Sequence, residues 1–114
     1  MKTVSTKPSF QGDLMIREIK TLPSNVTAAK ADGDYFILAH SETGHHHVIE
    51  RPRAEVFQAA DDAFVAYIKT ISDGVIEHQR SFDTHAPLKV EAGKIYEVRR
   101  QREYTPEGFR RAQD

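Results

Sequence analysis

The sequence predicts an all-β fold, a small single-domain β-barrel or β-sandwich with a short C-terminal helical turn. Its apolar runs have the length of strands, and residues with turn chemistry such as Gly, Asp and Ser separate them. The chain has 114 residues, of which 39% are hydrophobic and 29% charged, and these values are typical of one globular domain. We therefore expect one hydrophobic core, built mainly from strands.

The first residues differ in pattern from the rest of the chain. Residues 1–11 are polar and follow neither the helix nor the strand period, so they are interpreted as an N-terminal arm. A single β domain is predicted over residues 12–114. Its first strand begins after Gly12, where Leu14 and Ile16 fall on one side of an alternating run.

Two further strands are predicted beside a histidine-rich loop. Residues 35–39 are an apolar run of the length of a buried strand, and residues 45–50 leave the loop that ends at Gly44. We expect the two strands to pair as a hairpin whose tip carries histidines.

The segment 53–71 fits two structures. Its apolar residues recur at helical spacing, yet the segment is also rich in Val, Ile, Phe and Tyr, which favour strands. We favour two strands, residues 54–59 and 63–71, because residues 60–62 have adequate turn chemistry. A helix over the whole segment is the alternative.

Turns predict the remaining elements. Residues 72–74 are a strong turn and are expected to close a hairpin with a strand at 75–78. The Gly-containing connection 91–94 has hairpin length and joins strands at 88–90 and 95–101.

The last residues carry the signature of a helix start. Thr105 can cap a helix, Pro106 suits its first position and Glu107 is an acid in its first turn. One or two turns of helix are therefore predicted up to Ala112.

Charge and composition argue against several classes of function. Lys and Arg total 16 and Asp and Glu total 17, so a formal charge of −1 creates no global field that would attract nucleic acid or an anionic membrane. The absence of cysteine excludes disulfides, thiolate catalysis and cysteine-ligated metals. No apolar run approaches the roughly 20 residues of a membrane span, and the N-terminus lacks the apolar core of a signal peptide. We expect a cytoplasmic protein with no membrane partner.

The three consecutive histidines are the main candidate site. Alternation along a strand places His45 and His47 on one face and His46 on the other, and two imidazoles on one face can share a metal ion. His85 is the candidate third ligand, because a proline two residues later fixes the backbone beyond it. Three neutral imidazoles with an open position suit a divalent transition metal, namely Zn, Fe, Mn, Ni or Cu.

Two other residues are candidates for acid, base or fourth-ligand roles, namely Glu50 and His78. The alternative interpretation is an exposed polar loop in which the histidines have no role, or a contact that depends on pH.

A second candidate surface lies near the C-terminus. Arg99, Arg100, Arg102 and Tyr104 combine cationic and aromatic residues in the way that phosphate or base contacts require. Acidic residues in the same segment almost cancel this charge, so we favour a salt-bridged edge strand over nucleic-acid binding.

Several segments resemble the motifs of a family of small, uncharacterised bacterial and phage-encoded proteins. These segments, in the family's order, are Gln11–Leu14, Thr43–His47, His85–Leu88, Ala92–Tyr96 and Gln101–Pro106. The resemblance covers residues 11–114 and implies a compact β domain with its histidines gathered at one site. Many relatives carry a second histidine where this chain has Phe82, so a site with four histidines is not expected.

The chain also resembles the cupins, small barrels that bind metal, more loosely. Gly44, His45, His47 and Glu50 are similar to the first cupin motif, whereas residues 92–96 lack the histidine of the second. This resemblance implies oxygenase, isomerase or plain binding chemistry, and fold similarity survives the loss of one ligand more easily than activity does.

These observations predict that the protein binds a divalent metal or a small polar ligand through a histidine cluster. One alternative is a non-enzymatic, phage-encoded or bacterial interaction protein that docks to a protein partner, or to a second copy of itself, through a sheet edge and the N-terminal arm. The other is nucleic-acid binding through the C-terminal Arg/Tyr segment. Both an enzyme and a binding module remain open.

Overall fold

The computed structural model describes residues 1–39, 46–78, 86–105 and 108–111, with residues 102–105 and 108–111 described through their backbone. Within these ranges the chain forms short strands, numbered here in chain order: β1 (Lys2–Thr3), β2 (Ser9–Gln11), β3 (Leu14–Ile19), β4 (Val26–Ala28), β5 (Tyr35–Ala39), β6 (His47–Glu50), β7 (Ala54–Ala59), β8 (Val65–Thr70), β9 (Gly74–His78), β10 (Leu88–Val90), β11 (Ile95–Arg100), β12 (Arg102–Thr105) and β13 (Gly108–Arg111).

Strands β1 to β11 form two sheets that pack face to face as a sandwich, and β12 and β13 form a separate two-stranded sheet. One sheet has the order β1-β10-β9-β6-β5, and the other has the order β2-β3-β11-β8-β7-β4. In the part of the chain that the structure describes, the sheets do not close into a barrel. The predicted all-β fold is therefore confirmed in its sandwich form.

The hydrophobic core lies between the two sheets. One sheet contributes Ile16, Ile68 and Val98, and the other contributes Ile49 and Ile76, all at most 1% exposed. These residues occupy alternate positions of their strands, so burial of one face of each sheet supplies the main stabilising free energy.

The ambiguous middle segment forms two strands, β7 and β8, as predicted. They pair antiparallel, with Ala54 opposite Thr70 and Gln58 opposite Ala66. The helical alternative is wrong because β-branched and aromatic residues gain more from pairing within a half-buried sheet than from helical spacing alone.

Two predicted hairpins are wrong, because each pair of strands separates into different sheets. β8 and β11 belong to one sheet, while β9 and β10 belong to the other. The connections 72–74 and 91–94 therefore each run from one sheet to the other, and they lie next to each other. Thr70 links the crossings: its Oγ1 donates to the Glu91 carbonyl at 2.6 Å and accepts from the Lys94 amide at 2.9 Å.

The predicted C-terminal helix is also incorrect. Residues 108–111 form β13, which pairs antiparallel with β12 so that Thr105 lies opposite Gly108. Pairing with β12 therefore outweighs the local capping signal. A 3-10 turn at Arg51–Arg53 is the helical element in the described ranges, where no helix has the length and apolar character of a membrane span.

Residues 1–11, interpreted as an arm, contribute to both sheets. β1 pairs parallel with β10, and β2 pairs antiparallel with β3. Val4 and Gln11 are each 1% exposed, so this segment is part of the interior. Residues 1–11 follow no strand period because their few buried side chains are divided between two short edge strands.

Tyr96 is the largest fully buried side chain in the described residues. The Glu91 amide donates to its Oη at 2.8 Å. Burial raises the pKa of Tyr96 above its ordinary value of 10.0, although the Glu91 amide and the Lys94 charge act in the opposite direction.

We expect the free energy of unfolding to fall with pH above about 10. The unfolded tyrosine ionises there while the buried one stays neutral, so the contribution of Tyr96 is complete below the unfolded pKa and is lost as pH rises through the folded pKa. Tyr96→Phe should lower stability by about 1 kcal/mol at neutral pH and reduce this alkaline loss. Urea unfolding at several pH values measures both effects, and identical slopes above pH 10 in both proteins would contradict this role of Tyr96.

Candidate functional site

A cluster of buried polar side chains lies between the sheets at one end of the sandwich. Its members, called the histidine cluster below, are Gln11, Asp13, His47, His78 and Arg100. Gln11, Asp13, His47 and His78 are each at most 5% exposed, and the Arg100 side chain is 10% exposed. Burying so many polar groups is costly unless they bond to one another, which makes the cluster the candidate site.

Local structure explains why these side chains meet. Gly12 lies between β2 and β3 with a φ of 60°, a conformation that glycine adopts without strain, and this turn places Gln11 and Asp13 at the same end of the sandwich. His47 begins β6 and His78 ends β9, and the two are opposite partners in the ladder. Arg100 ends β11.

Gln11 fixes the orientation of His47. Its Nε2 donates to the carbonyl oxygens of Ile76 at 2.9 Å and Ala86 at 3.0 Å, so the amide group has one orientation. Its Oε1 then faces Nδ1 of His47 at 2.8 Å, and this nitrogen must donate. In the neutral ring the lone pair is therefore on Nε2.

Asp13 lies between the histidine and the arginine. Its Oδ1 is 3.7 Å from Nε2 of His47, and its Oδ2 accepts from Nε of Arg100 at 3.1 Å. The carboxylate is 3% exposed, so water screens these charges weakly. His47 and Arg100 therefore approach the two oxygens of the same buried carboxylate.

His47 and His78 stack. Their ring centroids are 4.3 Å apart and their planes differ by 8°. Lone pairs of imidazole lie in the ring plane, so two parallel rings do not direct them at one ion. Among the described residues, no group of three or more His, Cys, Asp or Glu side chains is placed to hold a metal.

An open cleft of about 620 Å³ adjoins the cluster, with Arg100 in its wall. Other wall residues come from β5 and β8, among them Leu38, Ala39 and Ala66. The pairing of β5 with β6 shifts between Ile37 and Ala39, beside His47. A β-bulge of this kind redirects side chains next to binding sites.

The structure brings two of the predicted site residues together and separates a third. His47 and His78 are in the cluster. Glu50 is not: it lies on the opposite face of β6, is exposed and forms a 3.5 Å ion pair with Arg53. The predicted metal ligands His45 and His85 lie outside the described residues.

The arginines are also separated. Arg99 is exposed on the outer face of β11, 3.6 Å from the Glu97 carboxylate, whereas Arg100 faces inward. β11 lies between β3 and β8, so the predicted edge strand is an interior strand, although its arginines are salt-bridged as expected. For Arg102 and Tyr104 the structure describes only the backbone, as part of β12.

Sequence reasoning missed Gln11 and Asp13 as site residues. Both lie beside Gly12 at the start of an alternating run in which Leu14 and Ile16 face the core. Both are out of phase with Leu14 and Ile16, so strand alternation does not mark them, and their position on either side of Gly12 is the signal that the sequence offers.

Comparison with known protein families identifies a match. A family model described as "Domain of unknown function (DUF8820)" matches residues 10–101. This range includes the cluster from Gln11 to Arg100. No curated protein and no solved structure matches the chain.

Proposed function

The chain belongs to the DUF8820 family of domains of unknown function, and we propose that it binds a small polar ligand through the histidine cluster. One observation carries this proposal: Arg100 belongs both to the buried cluster and to the wall of the open cleft. Arg100 forms an ion pair with a buried carboxylate and also lines the cleft. A ligand in the cleft therefore contacts a side chain that the interior of the protein holds in place.

The cluster is organised to hold that arginine. Asp13 receives the Nε proton of Arg100, His47 lies against the other carboxylate oxygen, and Gln11 fixes the imidazole. The two hydrogen bonds, together with the 3.7 Å approach of His47 to Asp13, restrict the orientation of each member, and a binding group held in place loses little entropy when a ligand arrives.

Binding is tested by NMR on the full chain. Succinate, putrescine and ribose represent an anion, a cation and a neutral polyol. We expect one class to shift the ring nitrogens of His47 and the amides of Ala39 and Ala66, and Asp13→Asn to weaken this response. The amide of Gly93, at the other end of the sandwich, serves as the internal control. If neither this panel nor a monocarboxylate such as hexanoate shifts the site signals, the proposal is contradicted.

A metal is the second candidate ligand, favoured by the hydrogen bond on His47. Histidines that bind metal commonly donate their other ring N–H to an oxygen, as Nδ1 does here to Gln11. In this form of the proposal His47 acts with His45 and His85. His45 lies two residues before His47 in the sequence, and His85 lies two residues before a proline.

Zn²⁺ or Ni²⁺ should then raise the melting temperature, because an ion that binds only the folded state stabilises it by mass action. His85→Ala should remove this rise and leave the melting temperature in chelator unchanged. An equal melting shift with metal and with chelator would instead assign His85 a structural hydrogen bond worth about 1 kcal/mol and reject the metal.

A third proposal is docking through a sheet edge, to a protein partner or a second copy of the chain. The N-terminal segment supplies one edge of each sheet, β1 and β2, and its Phe10 is 56% exposed. Edge strands present backbone groups to which another chain can add. Light scattering with and without Phe10→Ser tests self-association. A phage origin, cupin-type chemistry and a cytoplasmic location stay predictions, as does nucleic-acid binding through the C-terminal segment.

A further inference from the structure

The cleft beside Arg100 combines an apolar wall with a cationic end. Its wall residues include Leu38 and Ala39 from β5, and Phe64 and Ala66 in or next to β8. The residues come from both sheets, so the cleft lies where the sandwich opens at one end. Its volume of about 620 Å³ is within the range of small-molecule sites.

The apolar wall selects for a ligand with an apolar body. Leu38, Ala39 and Ala66 are buried wall residues, and the half-buried Ile37 and Phe64 present the apolar area that a ligand can cover. A ligand that covers this wall gains free energy in proportion to the apolar area it removes from water.

The cationic residues of the cleft wall outnumber the acidic ones, which favours an anion over a cation. Arg100 and the exposed Lys30 are cationic wall residues, and Asp32 is the acidic residue in the wall. The guanidinium is planar and carries donors on three nitrogens, and the 3.1 Å bond from Nε to Asp13 fixes its plane. This fork of donors matches the oxygens of a carboxylate or of a phosphate.

The neighbouring Asp13 limits the charge of the ligand. Its buried carboxylate already offsets one positive charge at Arg100. A dianion would bring two further negative charges next to it in a weakly screened environment, whereas a monoanion brings one.

We propose that the ligand is a small monocarboxylate with an apolar body, bound with its carboxylate at Arg100 and its body along β5 and β8. This inference rests on the proposed function, because it takes the cleft as the binding site. It adds the chemical class of the ligand, which the histidine cluster alone does not define.

The experiment compares four probes that differ in one feature each: hexanoate, hexanamide, hexyl phosphate and acetate. Each is titrated into the labelled full chain, and the amide shifts of Leu38, Ala39 and Ala66 give the affinity. We expect hexanoate to bind about tenfold or more tightly than the other three. Hexanamide lacks the charge, hexyl phosphate can carry a second charge, and acetate lacks the apolar tail.

Variants test the guanidinium of Arg100 and the location of the binding site separately. Arg100→Lys keeps the positive charge but loses the planar donors, and should weaken hexanoate about tenfold. Ala63→Trp fills the cleft from an exposed wall position, which spares the core, and should abolish binding. Arg99→Gln on the outer face and Ala92→Trp at the opposite end of the sandwich are the matched controls, and both should bind hexanoate as the unmodified chain does.

Each outcome tests either the chemical class of the ligand or the cleft as its binding site. Hexanamide or hexyl phosphate binding at the same amides as tightly as hexanoate overturns the monocarboxylate but leaves the cleft as a binding site. Unchanged hexanoate binding by Ala63→Trp overturns the cleft as its location. If none of the four probes shifts these amides, the monocarboxylate is overturned, and the panel of succinate, putrescine and ribose decides whether the cluster binds any ligand.

Discussion

Asp13→Ala is expected to lower the free energy of unfolding by about 3–5 kcal/mol, since removal of one partner leaves a buried charge uncompensated. Asp13 is 3% exposed and bonds to Arg100 at 3.1 Å, while its other oxygen faces His47. Alanine leaves the guanidinium, which is only 10% exposed, without this carboxylate in an environment that water reaches poorly.

Equilibrium urea unfolding measures this loss, with Glu50→Ala as the matched control. Glu50 also pairs with an arginine, Arg53 at 3.5 Å, but both side chains are about half exposed. Exposed pairs contribute at most about 1 kcal/mol. If the two variants lose equal stability, burial of Asp13 has no energetic consequence and this account of the cluster is wrong.

A double variant distinguishes the ion pair from the packing around it. Asp13→Leu combined with Arg100→Met replaces both charges by apolar groups, and we expect it to be more stable than Asp13→Leu alone. Buried ion pairs can be replaced by apolar residues at little cost, whereas broken ones cannot. This pair of variants also predicts a functional difference, because the double variant should fold but lose the proposed binding of a carboxylate at Arg100.

Local patterns predicted most strands of this fold but not all of their partners. Alternation at Leu14 and Ile16, and the turn between β7 and β8, gave correct strands because one face of each sheet is buried. The turns at 72–74 and 91–94 fit a hairpin and a crossing between sheets equally well. The pairing is decided by strands distant in sequence, which no local turn encodes.

The site was predicted only in part for the same reason. Strand alternation correctly placed His47 and Glu50 on opposite faces of β6. The bond from Gln11 to the Ile76 carbonyl spans 65 residues, and the pair of Asp13 with Arg100 spans 87. A single sequence contains no period that connects such distant positions, so the partners of His47 emerged only from the packing of the two sheets.

Gln11→Leu is expected to lower the free energy of unfolding by about 3 kcal/mol, because each buried polar group that loses its partner costs about 1–3 kcal/mol. Gln11 bonds three groups from different parts of the chain: the Ile76 carbonyl, the Ala86 carbonyl and Nδ1 of His47. Leucine has a similar shape, so the loss reports the hydrogen bonds more than the packing.

The same variant should also change the imidazole of His47. Without the Gln11 oxygen nothing requires the proton to stay on Nδ1, so the ring nitrogen chemical shifts should move toward a mixture of tautomers. Gln101→Leu is the control, since Gln101 is exposed and its backbone amide, which donates to the Asp13 carbonyl at 2.9 Å, is retained. If Gln11→Leu loses stability while the His47 ring signals stay unchanged, Gln11 joins the two sheets but does not orient His47. The proposed role of Gln11 in holding His47 beside Asp13 and Arg100 is then wrong.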